Sequence, residues 1–244
     1  MATDGMVEAK SARQVVLITG STGGLGQAVA RAFAAAGARL FLTDRALDRL
    51  EAQRSELGLD AGRCALHVCD ITRRSDAQGL GAAAEAAFGQ LDVAIHLAGG
   101  FKMGPVHETP EETWNFLFDL NARSVANLAA GIVPTLLRQG RGAIVHVGAR
   151  PALQGAAGVG VYAASKAAVL RLTESMAAEL LDKGIRVNSV LPSTIDTPAN
   201  RQAMPGMDPG KWVTPESIAE VLLFLASPAA RDISGAAIPV YGRA

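Results

Sequence analysis

Residues 14–26 read Gln14-Val-Val-Leu-Ile-Thr-Gly20-Ser-Thr-Gly-Gly-Leu-Gly26, and an alanine-rich run follows to Gly37. Four apolar residues, three of them β-branched, make a short strand with both faces buried. The glycines then divide the work of a turn: Gly20 for the tight bend, Gly24 for close approach of backbone to a phosphate, Gly26 for close helix packing. The helix that starts there points its free amides and positive dipole end at an anion. A plain glycine-rich loop has the same composition, but a position between strand and helix is that of a nucleotide-binding unit. Asp44 comes eighteen residues past Gly26, after the next apolar run Arg39-Leu-Phe-Leu-Thr43. A carboxylate at this distance accepts bonds from both hydroxyls of an adenosine ribose and repels a 2′-phosphate, which favours NAD(H) over NADP(H). Two alternatives stand beside that: Asp44 could N-cap the helix beginning near Ala46, and Arg45 could meet a phosphate.

Outward from this unit, strand-like and helix-like runs alternate to the end of the chain. Candidate strands are 14–19, 38–43, 63–69, 91–97, 142–148, 185–191 and 236–240; candidate helices are 24–36, 46–57, 74–88, 111–138, 157–182 and 215–226. The alternation predicts an α/β fold of one domain over 14–244: a Rossmann-type, doubly wound, mostly parallel seven-stranded sheet with helices on both faces. Residues 1–13 are expected to form a flexible polar tail. The longest irregular stretch, 192–213, is rich in proline, glycine and methionine and is a candidate substrate lid.

Bulk properties narrow the classes. A chain of 244 residues with formal net charge +0 carries no basic field that calls for nucleic acid or an anionic membrane. No apolar run reaches the roughly 18 residues of a membrane span, and the polar start lacks the apolar centre of a secretion signal, so the expected location is cytoplasmic. Cys64 and Cys69 fall on opposite faces of one strand, which argues against a disulfide, and no metal-ligand spacing is present. The expected partner is therefore a small molecule.

Tyr162 and Lys166 lie four residues apart, on one face of a helix. An ammonium beside a phenol lowers its pKa and lets it pass a proton near neutral pH. The same spacing occurs on ordinary solvated helices, so the pair alone does not decide the chemistry.

Several motifs in order resemble the short-chain dehydrogenase/reductase family: Thr19-Gly-Ser-Thr-Gly-Gly-Leu-Gly26, Asp70-Ile71, Ala98-Gly99, Asn121, Tyr162-x-x-x-Lys166, and Asn188-x-x-x-Pro192 leading to Thr197. The resemblance implies that Tyr162 passes the proton, that Lys166 supports it and binds the nicotinamide ribose, and that Asn121 holds a water of the relay. Cofactor contacts are implied for Gly20, Thr22, Gly24, Leu25, Gly26, Asp44, Arg45, Asp70, Ile71, Ala98, Gly99, Tyr162, Lys166, Pro192, Ile195 and Thr197. Three places depart from the family pattern. His96-Leu-Ala-Gly99 stands for the usual Asn-Asn-Ala-Gly, Pro192-Ser193 for Pro-Gly, and Ala149 for the serine thirteen residues before the tyrosine. His96 is expected to be packed and hydrogen-bonded rather than a base. Ala149 matters more, because losing one oxyanion donor can cost ~3 kcal/mol of transition-state stabilisation. Between Gly148 and Val161 the polar side chains are Arg150 and Gln154, either of which could replace it.

The run Val147-Gly-Ala-Arg-Pro-Ala-Leu-Gln-Gly155 and the lid Ile195-Asp-Thr-Pro-Ala-Asn-Arg-Gln-Ala-Met-Pro205, with Trp212, resemble dihydropteridine reductases, which are similarly serine-free and prefer NADH. The implied reaction is reduction of an activated conjugated substrate, dihydropteridine-like or quinonoid, with Ala149, Gln154, Met204 and Trp212 around it. Two alternatives remain: an ordinary carbonyl or hydroxyl oxidoreductase acting on a 3-oxoacyl thioester, sugar or alcohol, and a non-catalytic dinucleotide-binding sensor. The family resemblance also implies pairing of the long helices into a homo-oligomer, a dimer or a tetramer.

Overall fold

The central strand β1, Val15–Thr19, is wholly buried. Its alternate residues feed two separate cores: Val15 and Leu17 pack into one, Val16 and Ile18 into the other. In this computed structural model, which describes residues 14–243, six further strands flank it. They are β2 (Arg39–Asp44), β3 (Cys64–Val68), β4 (Val93–His96), β5 (Gly142–Val147), β6 (Ile185–Pro192) and β7 (Ala237–Val240). The order is β3-β2-β1-β4-β5-β6-β7, and every neighbouring pair is parallel, so the sheet is wholly rather than mostly parallel.

One face of the sheet is covered by α1 (Gly24–Ala35), α2 (Leu47–Glu56) and α9 (Pro215–Ala226), which place Phe33, Leu50 and Leu222 against it. The other face carries α4 (Leu80–Phe88), α6 (Ser124–Gln139) and α7 (Gly160–Leu180), with Phe88, Leu128 and Val169 inside. Cys64 and Cys69 are free and buried in opposite cores, as their spacing implies. No described helix is long and apolar enough to cross a membrane.

Two expected helices are broken, each for a local reason. The run 74–88 splits into α3 (Arg74–Ala77) and α4 because Gly79 takes a left-handed φ of 89°. The break lets α3 seat against Gly131 of α6, where a Cβ would stand 2.0 Å from the Ala77 carbonyl oxygen. The run 111–138 becomes α5 (Glu111–Leu117), a π-helical turn over Phe118–Arg123, and α6. The stretch 192–213 is less irregular than its composition implies. It holds α8 (Pro198–Ala203), capped by Thr197, whose hydroxyl accepts from the Asn200 amide, and a 3-10 turn over Pro209–Lys211. Its base is tied by Val213 N donating to Thr194 O and Asp196 N to Val213 O.

β1 lies between β2 and β4, so the chain leaves it in opposite lateral directions and opens a crevice beyond the carboxyl ends of the strands. The expected tail 1–13 lies outside the described residues.

Candidate active site

The glycine loop between β1 and α1 leaves no room for side chains. Gly20 has φ 64°, and a Cβ there would meet Ala98 N at 2.9 Å; one on Gly26 would meet Ser21 O at 2.3 Å. A Cβ on Gly24 would lie 3.0 Å from Thr197 Cγ2, so loop and lid approach each other at this point. The start of α1 has no side-chain cap and no acidic residue in its first turn, leaving its amides and dipole for an anion. The loop is held from below by Gln53, whose Nε2 donates to Ser21 O at 2.6 Å. Asp44 helps too: Thr22 donates to its Oδ2 from the amide at 3.2 Å and from the hydroxyl at 2.7 Å. Asp44 does not cap a helix, since the N-cap of α2 is Ala46. Asp70 is half-buried. Burial raises its pKa, but the Thr72 hydroxyl and amide, with Arg45 and Arg73 nearby, outweigh that and hold the carboxyl below its usual range. A tight glycine cradle, an open helix N-terminus and a fixed carboxylate at the end of β2 fit a dinucleotide.

Beyond the cradle a cavity of about 450 Å³ opens. Leu25, Leu97, Gly99, Phe101, Ala149, Tyr162, Lys166, Ile195 and Met204 are among its lining residues. Tyr162 rises from the first turns of α7, its ring packed edge-on against Phe101 with centroids 4.8 Å apart at 88°. Burial pushes its phenol up to about 12 and so holds it protonated, contrary to the lowering that the lysine four residues on implies. Lys166 is buried and donates from Nζ to Val147 O at 2.9 Å on β5; burial lowers its ammonium to about 8. The ammonium is thus anchored, through one of its three N–H groups, to the strand bearing the Ala149 loop.

Asn121 sits on the π turn, buried, and both hydrogens of its side-chain amide are used. Oδ1 accepts from Gly100 N at 2.9 Å, while Nδ2 donates to Gly100 O at 3.0 Å and to Ser165 Oγ at 2.9 Å. Its amide therefore has no donor left for a water. Instead it clamps the loop after β4 to the helix that carries Tyr162, since Ser165 Oγ donates to Tyr162 O at 2.8 Å. An extra residue in the helical turn aims Asn121 inward, a common use of π segments. Gly99 has to be small here: a Cβ would fall 3.0 Å from Lys166 Nζ and 3.1 Å from Asn121 Oδ1.

His96 is packed and bonded, as expected. Ser124 Oγ spends its proton on Leu120 O at 2.7 Å, so it accepts from His96 Nε2 at 2.9 Å, which leaves Nδ1 to accept from Thr19 Oγ1 at 2.7 Å. Burial, with His146 and Lys166 near, holds this imidazole neutral, well below its usual range. His96 thus supplies by side chain the tie that an asparagine makes in the family pattern.

The remaining expected residues divide. Ala149 and Met204 line the cavity, as do Pro192 and Ile195; Gln154 is exposed on its loop and does not, and Trp212 is buried and is not among the lining residues. Ala98 is half-buried beside Gly20, Ile71 is buried, and Arg45 is exposed near Asp44. The cavity also takes in Pro151, Ser193, Thr194 and Asn200, which sequence reasoning did not single out. Ser193 was visible only as the departure from Pro-Gly; its Oγ donates to Tyr241 O at 2.6 Å.

A family model described as enoyl-(acyl carrier protein) reductase matches residues 20–242. The 3-oxoacyl-[acyl-carrier-protein] reductase of Thermotoga maritima is 31% identical over 237 residues, covering 94% of this chain and 96% of that protein. D-threitol dehydrogenase of Mycolicibacterium smegmatis is 30% identical over 238 residues, covering 94% and 92%. Among solved structures, a 3-ketoacyl-(acyl-carrier-protein) reductase from Brucella melitensis complexed with NADH superposes with a TM-score of 0.84 at 28% identity, covering 94% of this chain and 98% of that one. A family match over residues 20–242, with relatives and a solved structure alike over nearly the whole chain, means that the chain belongs to the short-chain dehydrogenase/reductase family and is an NAD(P)-dependent oxidoreductase.

Proposed function

We propose that this protein reduces an activated, conjugated substrate, dihydropteridine-like or quinonoid, with NADH preferred and Tyr162 as proton donor. The observation that carries the reading is Ala149, 6% exposed and lining the cavity beside Tyr162 and Lys166. A plain ketone developing negative charge there would lack a donor that can be worth ~3 kcal/mol. An electron-poor, nitrogen-rich or quinonoid system spreads that charge over its own atoms and needs less help. The bound dinucleotide supplies the hydride. Tyr162 gives the proton to the reduced atom, and its phenol, raised to about 12, stays in the donor form at neutral pH. Lys166 stabilises the phenolate left behind, and Asn121 positions the Gly99-Gly100 loop against both.

Preference for NADH is supported by Asp44, whose carboxylate is fixed by Thr22 at the end of β2 and would face a 2′-phosphate. Association into a dimer or tetramer belongs to the same reading. Its support is a run of small, partly exposed residues: Ala129, Ala130 and Val133 on α6, and Ala167, Ala168 and Leu172 on α7. A second reading, an ordinary ketone reductase or alcohol dehydrogenase, is favoured by Thr194, a hydroxyl in the cavity lining, and by the named activities of the relatives.

NADH oxidation against quinonoid dihydrobiopterin, ortho- and para-quinones, an acetoacetyl thioester and a diketone separates the two. Fast turnover of pterin or quinone with little on the ketones is the expected outcome; ketone turnover at ordinary rates replaces the first reading with the second.

A further inference from the structure

We infer that Arg150 selects substrates bearing an anionic group, a carboxylate, sulfonate or phosphate attached to the conjugated core. The inference rests on the proposed reduction of conjugated substrates and adds a charge to their description. The cavity lining contains two cations, Arg150 and Lys166, and no aspartate or glutamate. Lys166 is buried and committed to the Val147 carbonyl. Arg150 is exposed at the opening of the 3-10 turn that follows Ala149. Among the described residues no carboxylate forms an ion pair with it. Arg201 on the adjacent lid is different: its Nε and Nη2 both engage Asp196, at 2.6 and 2.7 Å, and its charge is spent.

Arg150 is also held in place. Its guanidinium lies 5.0 Å from the Tyr241 ring centroid. Tyr241 is fixed in turn, because its carbonyl accepts from Ser193 Oγ at 2.6 Å and Arg243 N donates to Lys211 O at 3.0 Å. Gly242 between them has φ 65°, and a Cβ there would meet Trp212 O at 2.9 Å. A cation–π contact of this kind takes up no N–H donor, so the guanidinium keeps its N–H groups for the paired acceptors of an anion. The apolar walls from Leu97, Phe101, Pro151, Ile195 and Met204 receive the flat core, and among the described lining residues Arg150 is the cation left to pair with its charge.

The test compares 1,2-naphthoquinone with its 4-sulfonate, using NADH and both wild type and Arg150→Met. The sulfonate also changes intrinsic reactivity, so the measured quantity is the ratio of kcat/KM values, and how that ratio changes between the proteins. Arg150→Met is expected to lower the sulfonate-to-neutral ratio about tenfold, mostly through KM, with Arg150→Lys between. The wild-type ratio should also shrink as salt is added. A ratio equal within about twofold in the two proteins overturns the inference. Should neither quinone be reduced, the proposed reaction fails by itself. Arg150 is then judged by calorimetric binding of 2-naphthalenesulfonate and 2-naphthol to the NADH-loaded proteins. There, an about tenfold loss confined to the sulfonate supports the role, and equal losses or none reject it.

Discussion

The side chain of Ala149 ends in a methyl group in the cavity wall that also holds Tyr162 and Lys166. Tyr162→Phe should lower kcat at least about 100-fold while leaving the dinucleotide dissociation constant within about twofold, read by NADH fluorescence titration. Turnover that survives the change would mean the proton comes from another group. Ala149→Ser places a hydroxyl in the cavity wall and should raise a weak diketone reductase activity by up to about 100-fold; an unaltered rate would mean that ketones do not dock at Tyr162. The spacing of Tyr162 and Lys166 in the sequence identified their shared helix and their neighbourhood. It did not identify the partner of the ammonium, because Val147 is nineteen residues away on a strand and helical periodicity carries no information about strands. The expected lowering of the phenol pKa failed because the fold buries the ring, which the spacing does not report.

Paired strands and packed helices carry the next effects. His146 on β5 sits in register with His96 on β4, their rings edge to face at 5.7 Å, yet neither ring nitrogen of His146 has a hydrogen-bond partner. Burial, followed by the Lys166 charge, lowers its pKa from 6.5 to about 4. Because the folded value lies below the unfolded one, the unfolded chain binds the proton first. Stability is then intact above pH 6.5 and drains away as pH falls through about 4. His146→Leu removes this loss, so near pH 5 its stability relative to wild type should improve by about 2 kcal/mol compared with neutral pH, measured by urea unfolding at both values. A difference that does not change with pH would exclude His146 as the group responsible. Gly131→Ala drives a methyl into the Ala77 carbonyl where α6 crosses α3, and should cost about 1–3 kcal/mol in the same assay. A neutral result would show that α3 yields easily. Strand positions were largely readable because buried parallel strands are short apolar runs bounded by glycine and polar residues. The π turn and the split at Gly79 were not, since both answer to packing partners distant in sequence. Helix α8 was hidden by its proline, Pro198, which sits at the first helical position, where proline is tolerated. Gln154 entered the expected site as a polar residue near Ala149; the structure turns it to solvent, and it is Arg150 from the same loop that lines the cavity.

For the molecule as a whole, association is the testable proposal. Ala168→Arg sets a charge in the small-residue patch and should reduce the mass in light scattering to that of the monomer; a mass equal to wild type would move the interface elsewhere. The strand order also bears on how the chain is made. β1 is among the first structured segments to be synthesised, yet it ends up in the middle, with β4 completing its second edge at Val93, 49 residues after β2 ends at Asp44. At roughly 5–20 residues per second, a ribosome leaves that hydrogen-bonding edge unpaired for roughly 2–10 s, long enough for nascent chains on neighbouring ribosomes to find one another. Slower translation through that interval lengthens the exposure. How long β1 waits with an open edge is therefore set by the stretch of chain between the second and fourth strands, a matter of tempo that leaves no trace in the finished fold.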